Sequence, residues 1–165
     1  MTMKSIEAKI IARTITLALY GIGMVAGAMF AARILGALPF GIVIAIGPVS
    51  GLFGAIFMAF TIWILSSVLA AVGFVFLGVG PILWVISTTT LRQTVTPANL
   101  LGRVSAINIV TYGARPLGSA MGAFVGSYYG AETCLIVAAA GFLIQALTIL
   151  SSPVVRLARQ PEMHG

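Results

Sequence analysis

Acidic side chains are scarce in this sequence, and histidine and cysteine are scarcer. Its 165 residues include three aspartates or glutamates, one histidine and one cysteine. His164 lies in the C-terminal tail and no acidic residue lies within an apolar segment, so the sequence holds neither a catalytic acid–base pair nor a metal site. Cys134 has no second cysteine with which to form an intrachain disulfide. We therefore expect no enzymatic activity, no bound metal and no cofactor.

Charge of either sign is also rare. Charged residues make up 7% of the chain and hydrophobic residues 60%, whereas a soluble domain carries about 25% charged residues. The apolar runs do not alternate strictly with polar residues, which favours membrane helices over a β-barrel. We therefore predict an all-α membrane protein. The nine lysines and arginines separate apolar runs and form no basic patch, so nucleic-acid binding is not expected.

Five apolar segments are each long enough to cross a hydrocarbon core of about 30 Å. We predict transmembrane spans at about residues 14–32, 40–60, 68–91, 104–129 and 133–152. Before them, residues 1–13 are predicted to form an amphipathic lead-in, and after them residues 153–165 form a cytoplasmic tail. A signal peptide is the alternative for the first span, but its apolar run exceeds the usual length of about 7–15 residues and further spans follow.

The uncharged stretch of residues 34–91 is too long for one span, so it must contain two helices and a turn. The best position for the turn is residues 61–67, where Trp63 suits a membrane interface. Pro48 and Pro81 lie inside the two predicted helices, and a proline there removes a helical hydrogen bond. Such prolines can act as hinges or only adjust packing, and we keep both alternatives.

The segment between the third and fourth spans has the features of a cytoplasmic loop. It contains Arg92 and Arg103, and positive charge is enriched in cytoplasmic loops. Thr96 can cap the next helix while Pro97 occupies its first position, where a missing N–H group is harmless.

Five spans would place the two termini on opposite sides of the membrane. With the C-terminal tail in the cytoplasm, the turns near residues 66 and 130 lie outside, and neither turn contains lysine or arginine. The cytoplasmic side then holds Arg33, Arg92, Arg103, Arg156 and Arg159, and the outside holds Lys4, Lys9 and Arg13. Only the N-terminal lead-in disagrees with the expected charge bias.

The fourth predicted span carries an arginine at mid-length. Arg115 lies roughly a dozen residues into an apolar segment, and a charge near a helix centre costs about 2.5–3.5 kcal/mol on insertion scales. Such a side chain is expected to face protein or water. Asn108, Thr111 and Tyr112 share its side of the helix, at spacings of three and four residues. We predict that these four residues line a transport cavity or act as a switch; the alternative is hydrogen bonding and packing between helices.

Glycines at a spacing of four residues form two smooth helix faces. One face comprises Gly118, Gly122 and Gly126 in the fourth span, and the other comprises Gly23 and Gly27 in the first. Because glycine has no side chain, another helix backbone can approach each face closely. We predict helix packing at both.

Four stretches of the sequence carry a family resemblance, at residues 91–108, 112–118, 76–90 and 20–33. They resemble the major facilitator superfamily of transporters, close to its enterobactin-exporter-like branch. LRQTVTPANLLGRVSAIN at residues 91–108 resembles the cytoplasmic loop before that branch's eleventh helix, and YGARPLG at 112–118 resembles the eleventh helix. FLGVGPILWVISTTT at 76–90 and YGIGMVAGAMFAAR at 20–33 are similar to its tenth and eighth helices. The resemblance implies that the five spans correspond to helices eight to twelve, most of a C-terminal half-bundle.

Membership of that family would imply two six-helix halves around a central cavity, with alternating access to its two sides. The expected function is then export of a small molecule across the cell inner membrane by a truncated or split transporter. Its expected partners are the lipid bilayer, a small-molecule substrate, and a missing N-terminal half or another copy of the chain. The alternative is a non-transporting interaction module, or remnant, that docks on other membrane helices through its glycine faces.

Overall fold

The chain folds into long helices. A computed structural model describes residues 3–97, 100, 102, 103, 106, 109 and 112–156. Within them the helices are α1 (Met3–Ala37), α2 (Phe40–Phe60), α3 (Ser67–Val95) and α4 (Arg115–Leu150), followed by the 3-10 helix Pro153–Arg156; no described residue is in a strand. Each of the four long helices contains a segment long and apolar enough to cross a membrane. The chain is therefore a helical, multi-pass membrane protein.

The helix ends lie close to the predicted spans in the first half of the chain. Helix α2 has the bounds of the second predicted span, and a turn follows it at residues 61–66. The Ser66 side chain caps α3 by accepting a hydrogen bond from the Leu69 N–H at 3.4 Å. Helix α1 continues through residue 13 without a break, so the predicted lead-in and first span form one helix.

The predicted fourth and fifth spans are not separate helices in the part of the chain that the structure describes, which contains four long helices. Most of residues 104–111, where the fourth span was predicted to begin, lie outside the described residues. The remainder of both spans belongs to α4, which is interrupted at Gly130. Gly130 has φ 86° and ψ 165°, a combination that is essentially restricted to glycine.

The interruption at Gly130 folds α4 back on itself. The Cys134 thiol lies 3.6 Å from the Gly122 carbonyl oxygen, across a sequence separation of twelve, whereas twelve residues of straight helix extend about 18 Å. We call residues 115–129 the first arm of α4 and residues 131–150 its second arm. The tight turn that Gly130 predicted therefore joins two antiparallel arms.

The described helices form a row rather than a closed bundle. Helix α3 packs between α1 and α2, and α2 packs between α3 and α4. The α4 contact uses the second arm, because a Cβ on Gly51 of α2 would meet the Phe142 ring at 2.7 Å. Ala146 in the same arm is 1% exposed, whereas most of the first arm is exposed. The order across the row is α1, α3, α2, second arm, first arm.

The row has two chemically distinct ends. The 3-10 helix meets the start of α2, because a Cβ on Gly41 would touch the Val155 carbonyl oxygen. Helices α1 and α3 are parallel, so Arg33 and Arg92 lie at this same end. The turn at residues 61–66, the turn at Gly130 and the start of α1 lie at the opposite end. The structure therefore divides the helix ends into the same two sets that the positions of the charged residues predicted. Which set faces the cytoplasm stays a prediction.

Backbones touch where α3 crosses its two neighbours. A Cβ on Gly80 of α3 would lie 2.7 Å from the Gly47 carbonyl oxygen of α2. On the other side of α3, a Cβ on Gly78 would lie 3.1 Å from the Gly23 Cα of α1. The first distance leaves no room for a Cβ atom, and the second is tighter than most Cβ contacts, so α3 packs closely through glycines on two faces.

One interhelical hydrogen bond secures the α2–α3 contact. The hydroxyl of Ser50, which is 7% exposed, donates to the Phe76 carbonyl oxygen at 3.0 Å. We expect Ser50→Ala to lower the free energy of unfolding by about 1 kcal/mol, since hydrogen bonds between membrane helices contribute about 0.6–2 kcal/mol. Unfolding by SDS titration, followed by tryptophan fluorescence, measures the change.

Ser87→Ala is the matched control for Ser50→Ala. Ser87 is also buried, but its hydroxyl donates to the Leu83 carbonyl oxygen of its own helix at 2.8 Å. Its loss leaves that carbonyl with its helical N–H partner, so we expect the smaller effect. Equal destabilisation by the two variants would contradict a stabilising role for the Ser50 bond.

Candidate functional site at the middle of the helical row

The Gly-Pro pairs of α2 and α3 lie together near the middle of the helices. Gly47-Pro48 in α2 and Gly80-Pro81 in α3 are distant in sequence, yet the Gly47 and Gly80 backbones are in contact. Each proline lacks the N–H group that would donate to the carbonyl four residues earlier. Ser50, which donates across this crossing, lies one turn from the same point. The contact therefore brings two helix prolines and a hydroxyl to one depth.

Arg115 lies at that same depth. The two arms of α4 are antiparallel, and the contact between Cys134 and Gly122 sets their register. Arg115 lies seven residues before Gly122 on the first arm, and Gly141 lies seven residues after Cys134 on the second arm. Arg115 and Gly141 are therefore level with each other. Gly141 precedes Phe142, whose ring contacts Gly51 near the centre of α2. The packing of the helices therefore places Arg115 level with the middle of α2.

The structure corrects one detail of that prediction, because Arg115 begins α4 instead of lying inside an unbroken helix. Pro116 follows it, and Ala114 before it makes no side-chain capping bond. Tyr112 and Gly113 on the other side are helical. The arginine therefore lies at an interruption between two helical stretches, where Pro116 removes one backbone donor.

Tyr112 is the predicted site residue that the structure brings to Arg115. The guanidinium carbon lies 4.3 Å from the centre of the Tyr112 ring, which is a cation–π arrangement. Both side chains are exposed, so the pair faces outward from the row. The other two predicted members of this polar face, Asn108 and Thr111, lie outside the described residues.

No carboxylate of the described helices lies at the depth of Arg115. Glu132 lies beside the Gly130 turn, at one end of the row, and Glu7 precedes the membrane-length part of α1, which begins at Thr14. The described residues contain no group of three or more histidine, cysteine or acidic side chains that could hold a metal ion. The described helices therefore provide no carboxylate that could balance the positive charge of Arg115 at this depth.

The two predicted glycine faces differ in what they contact. A Cβ on Gly23 would touch the Val75 carbonyl oxygen, and one on Gly27 would lie 3.3 Å from the Val79 Cα, so this face packs against α3. No heavy atom lies within 4 Å of a Cβ built on any of the three glycines of the other face, Gly118, Gly122 and Gly126 in α4. Two of those glycines line a shallow groove of about 240 Å³ between the arms, whose walls are Gly118, Met121, Gly122, Val125, Cys134, Val137 and Ala138.

The predicted cytoplasmic-loop residues lie at the C-terminal end of α3 and beyond it, with Arg92 in the last turn of the helix. Arg92 donates from Nη2 to the Thr89 hydroxyl at 3.4 Å, and its carbonyl oxygen accepts from the Thr96 N–H at 3.1 Å. Thr96 has φ −99° and ψ 122° and is thus the residue that ends α3. Pro97 accepts a hydrogen bond from the Leu100 N–H at 2.9 Å, and Arg103 is exposed. The predicted cap on the following helix lies partly outside the described residues.

Sequence reasoning missed the glycines of the α2–α3 crossing. Gly47 and Gly51 are four residues apart, the same spacing that identified the other glycine faces. This spacing was the available signal, and it was obscured by the interpretation of Pro48 and Pro81 as kinks. The role of Ser50 had no comparable signal, because a hydroxyl in an apolar helix can bond its own backbone equally well.

Comparisons of this chain with known protein families, with curated proteins and with solved structures gave no match.

Proposed function

We propose that the chain is part of a transporter that exports a small molecule across the cell inner membrane by alternating access. The observation that carries the proposal is the common depth of Arg115, the Gly47-Pro48 and Gly80-Pro81 contact, and Ser50. Transporters place substrate sites near the bilayer midplane, at interrupted helices whose free backbone groups are satisfied within the protein. Arg115, Ser50 and the two Gly-Pro pairs, which lie at one depth in the row, resemble such a site.

The open arrangement of the helices supports a part of a larger assembly. A single row of helices has two exposed faces and cannot enclose a cavity, so further helices outside these residues would have to cover one of them. In this proposal α4 crosses the membrane twice, once with each arm, since its second arm extends about 30 Å. Five crossings would then correspond to helices eight to twelve of a major facilitator transporter, the family that the sequence resembles.

The glycine contacts of α3 also suit a rocking mechanism. At the two crossings of α3 the backbones meet through glycines, and smooth contacts of this kind allow one helix to slide on another with few side-chain collisions. Arg115 and Tyr112 would line the cavity on the exposed face. Since no acidic residue lies inside the apolar segments, a carboxylate that couples transport to protons would come from other helices.

Loss of export in an Arg115→Gln variant would test this function, and the assay does not require an identified substrate. Native cells that lack the chain are compared with cells that express the wild type or the variant, and small molecules in cells and medium are measured by mass spectrometry. We expect at least one compound whose ratio of medium to cell content falls about tenfold without the chain. The variant should restore less than a tenth of that ratio, because it removes the cavity charge.

Ser87→Ala is the control in this assay, since its hydroxyl bonds only within α3; it should export like the wild type. The proposal fails if no compound depends on the chain. In that case the alternative, an interaction module, becomes the better explanation. The specific observation that favours it is the open glycine face of α4, where a Cβ built on Gly118, Gly122 or Gly126 would meet no heavy atom within 4 Å.

A further inference from the structure

We infer that Arg115 is an interaction site for an acidic transmembrane helix from outside these 165 residues, which presents a carboxylate at mid-membrane depth to the first arm of α4. The inference deepens the proposed function and rests on it in one respect: both require that further helices cover the exposed face of the row. It adds the chemistry of the helix that covers this face.

The first step is the depth of the charge. The register between the arms places Arg115 level with Gly141, and Phe142 beside it contacts Gly51 near the centre of α2. A guanidinium at the centre of a membrane is far from the lipid headgroups. Charged side chains at this depth usually pair with an opposite charge or with backbone carbonyl groups inside a helix bundle. Its contact with the Tyr112 ring orients the guanidinium but contributes no negative charge.

The second step is that this chain supplies no counter-charge. Its acidic residues are Glu7, Glu132 and Glu162. Glu7 precedes the membrane-length part of α1, Glu132 lies beside the turn at one end of the row, and Glu162 follows the last apolar segment. None of the three is placed at mid-depth by the helices.

The third step excludes a second copy as the partner at this face. A symmetric pair of parallel copies would bring two arginines to the same depth, where they repel each other. Glu132 is displaced from Arg115 toward one end by roughly 13 Å in every parallel copy, given the rise of an α-helix. A copy inserted the other way moves its Glu132 to the opposite end. The carboxylate must therefore come from a different sequence.

The fourth step is the shape of the surface. Ser119, Ala123 and Gly126 follow Arg115 at spacings of four, four and three residues, so they share its side of the first arm. They are small, and a Cβ on Gly126 would meet no heavy atom within 4 Å. A helix can therefore approach closely enough for a short carboxylate side chain to reach the guanidinium. Bulky exposed residues occupy the other side of the arm, namely Leu117, Met121, Phe124 and Tyr128.

A designed peptide tests this inference. The whole chain is reconstituted in phosphatidylcholine vesicles, and its association with a leucine-rich transmembrane peptide is measured by energy transfer between fluorophores. Peptides with a central glutamate, a central glutamine, or a glutamate moved two turns toward one end are compared. We expect the central glutamate to give association about tenfold tighter than either other peptide, because only it places a carboxylate at the depth of Arg115.

Two variants keep the experiment decisive. Arg115→Gln should abolish the tenfold preference for central glutamate, whereas Arg115→Lys should retain part of it because the charge remains. The Arg115 side chain is exposed and lies outside the packed core, and unchanged helical circular dichroism verifies the fold of each variant. Equal association of the glutamate and glutamine peptides, or a preference that survives Arg115→Gln, overturns the inference.

An anionic solute is the competing ligand of Arg115. Modification of Arg115 by phenylglyoxal, located by mass spectrometry, is measured with benzoate and with the central-glutamate peptide. We expect the peptide to protect Arg115 and benzoate to leave it reactive; protection by benzoate alone overturns the inference in favour of a solute site. The vesicle experiment involves no export, so its failure would leave the proposed transport function standing, and a failure of export would leave the peptide result standing.

Discussion

Gly80→Leu is expected to destabilise the protein strongly, because Gly80 lies where α3 crosses α2. A Cβ at Gly80 would lie 2.7 Å from the Gly47 carbonyl oxygen and 3.0 Å from the Gly51 backbone nitrogen. Both neighbours are backbone atoms, which cannot rotate away as a side chain can. Insertion of side-chain volume into packed interiors costs about 1–3 kcal/mol, and we expect at least the upper end of this range. SDS titration followed by tryptophan fluorescence measures the loss.

Gly118→Leu is the matched control for Gly80→Leu. It introduces the same side chain into a helical glycine position, but a Cβ there meets no heavy atom within 4 Å. Because leucine favours helix over glycine by about 0.5–1 kcal/mol, the control should be neutral or slightly stabilising. Similar unfolding free energies for the two variants would show that the α2–α3 contact is not as close as the structure has it.

Gly130→Val is expected to separate the two arms of α4. The backbone at Gly130 has φ 86° and ψ 165°, a region in which a β-branched residue is strained by more than about 1–3 kcal/mol. The chain can relieve this strain by changing the turn, and a changed turn loses the register between the arms. The effect on the arm contact should therefore be large even if the helices themselves persist.

Cross-linking between the arms measures this separation. Gly118→Cys and Ala138→Cys place two thiols on opposite walls of the groove, in a background in which Cys134 is replaced by alanine. Oxidation by copper phenanthroline should join the two thiols in a disulfide and so protect most of them from alkylation. Gly130→Val should lower the protected fraction about fivefold, in line with its strain energy. Ala131→Val is the control, since Ala131 is an exposed helical position. Equal protection in both variants would contradict the turn at Gly130.

Much of the fold could be predicted because it depends on segments read one at a time. The bounds of α2 and the turn after it follow from the length of the uncharged stretch and from Trp63 and Ser66 near its break. The turn at Gly130 was predictable because a glycine followed by a charged residue divides two apolar runs. The continuity of α1 was less predictable, since a change of composition at residue 13 does not by itself end a helix.

The candidate site was predictable only in part. Arg115 stood out because a charge is costly within an apolar segment, and Tyr112 followed from helical spacing. The structure brings these two together. The remaining contributors at the same depth, Gly47, Gly80 and Ser50, could not be assigned, because their importance depends on which helices become neighbours.

The sequence by itself determined that this chain is a set of membrane-length helices, because apolar length and internal backbone hydrogen bonding are properties of each segment alone. Only the tertiary structure decided how glycines of equal spacing are used. Gly23 and Gly27 are covered by α3, whereas the glycines of α4 remain open. The spacing is the same, but a close contact also requires a second backbone at the right depth and angle. That partner is set by the order of the helices in the row, and no single segment encodes it.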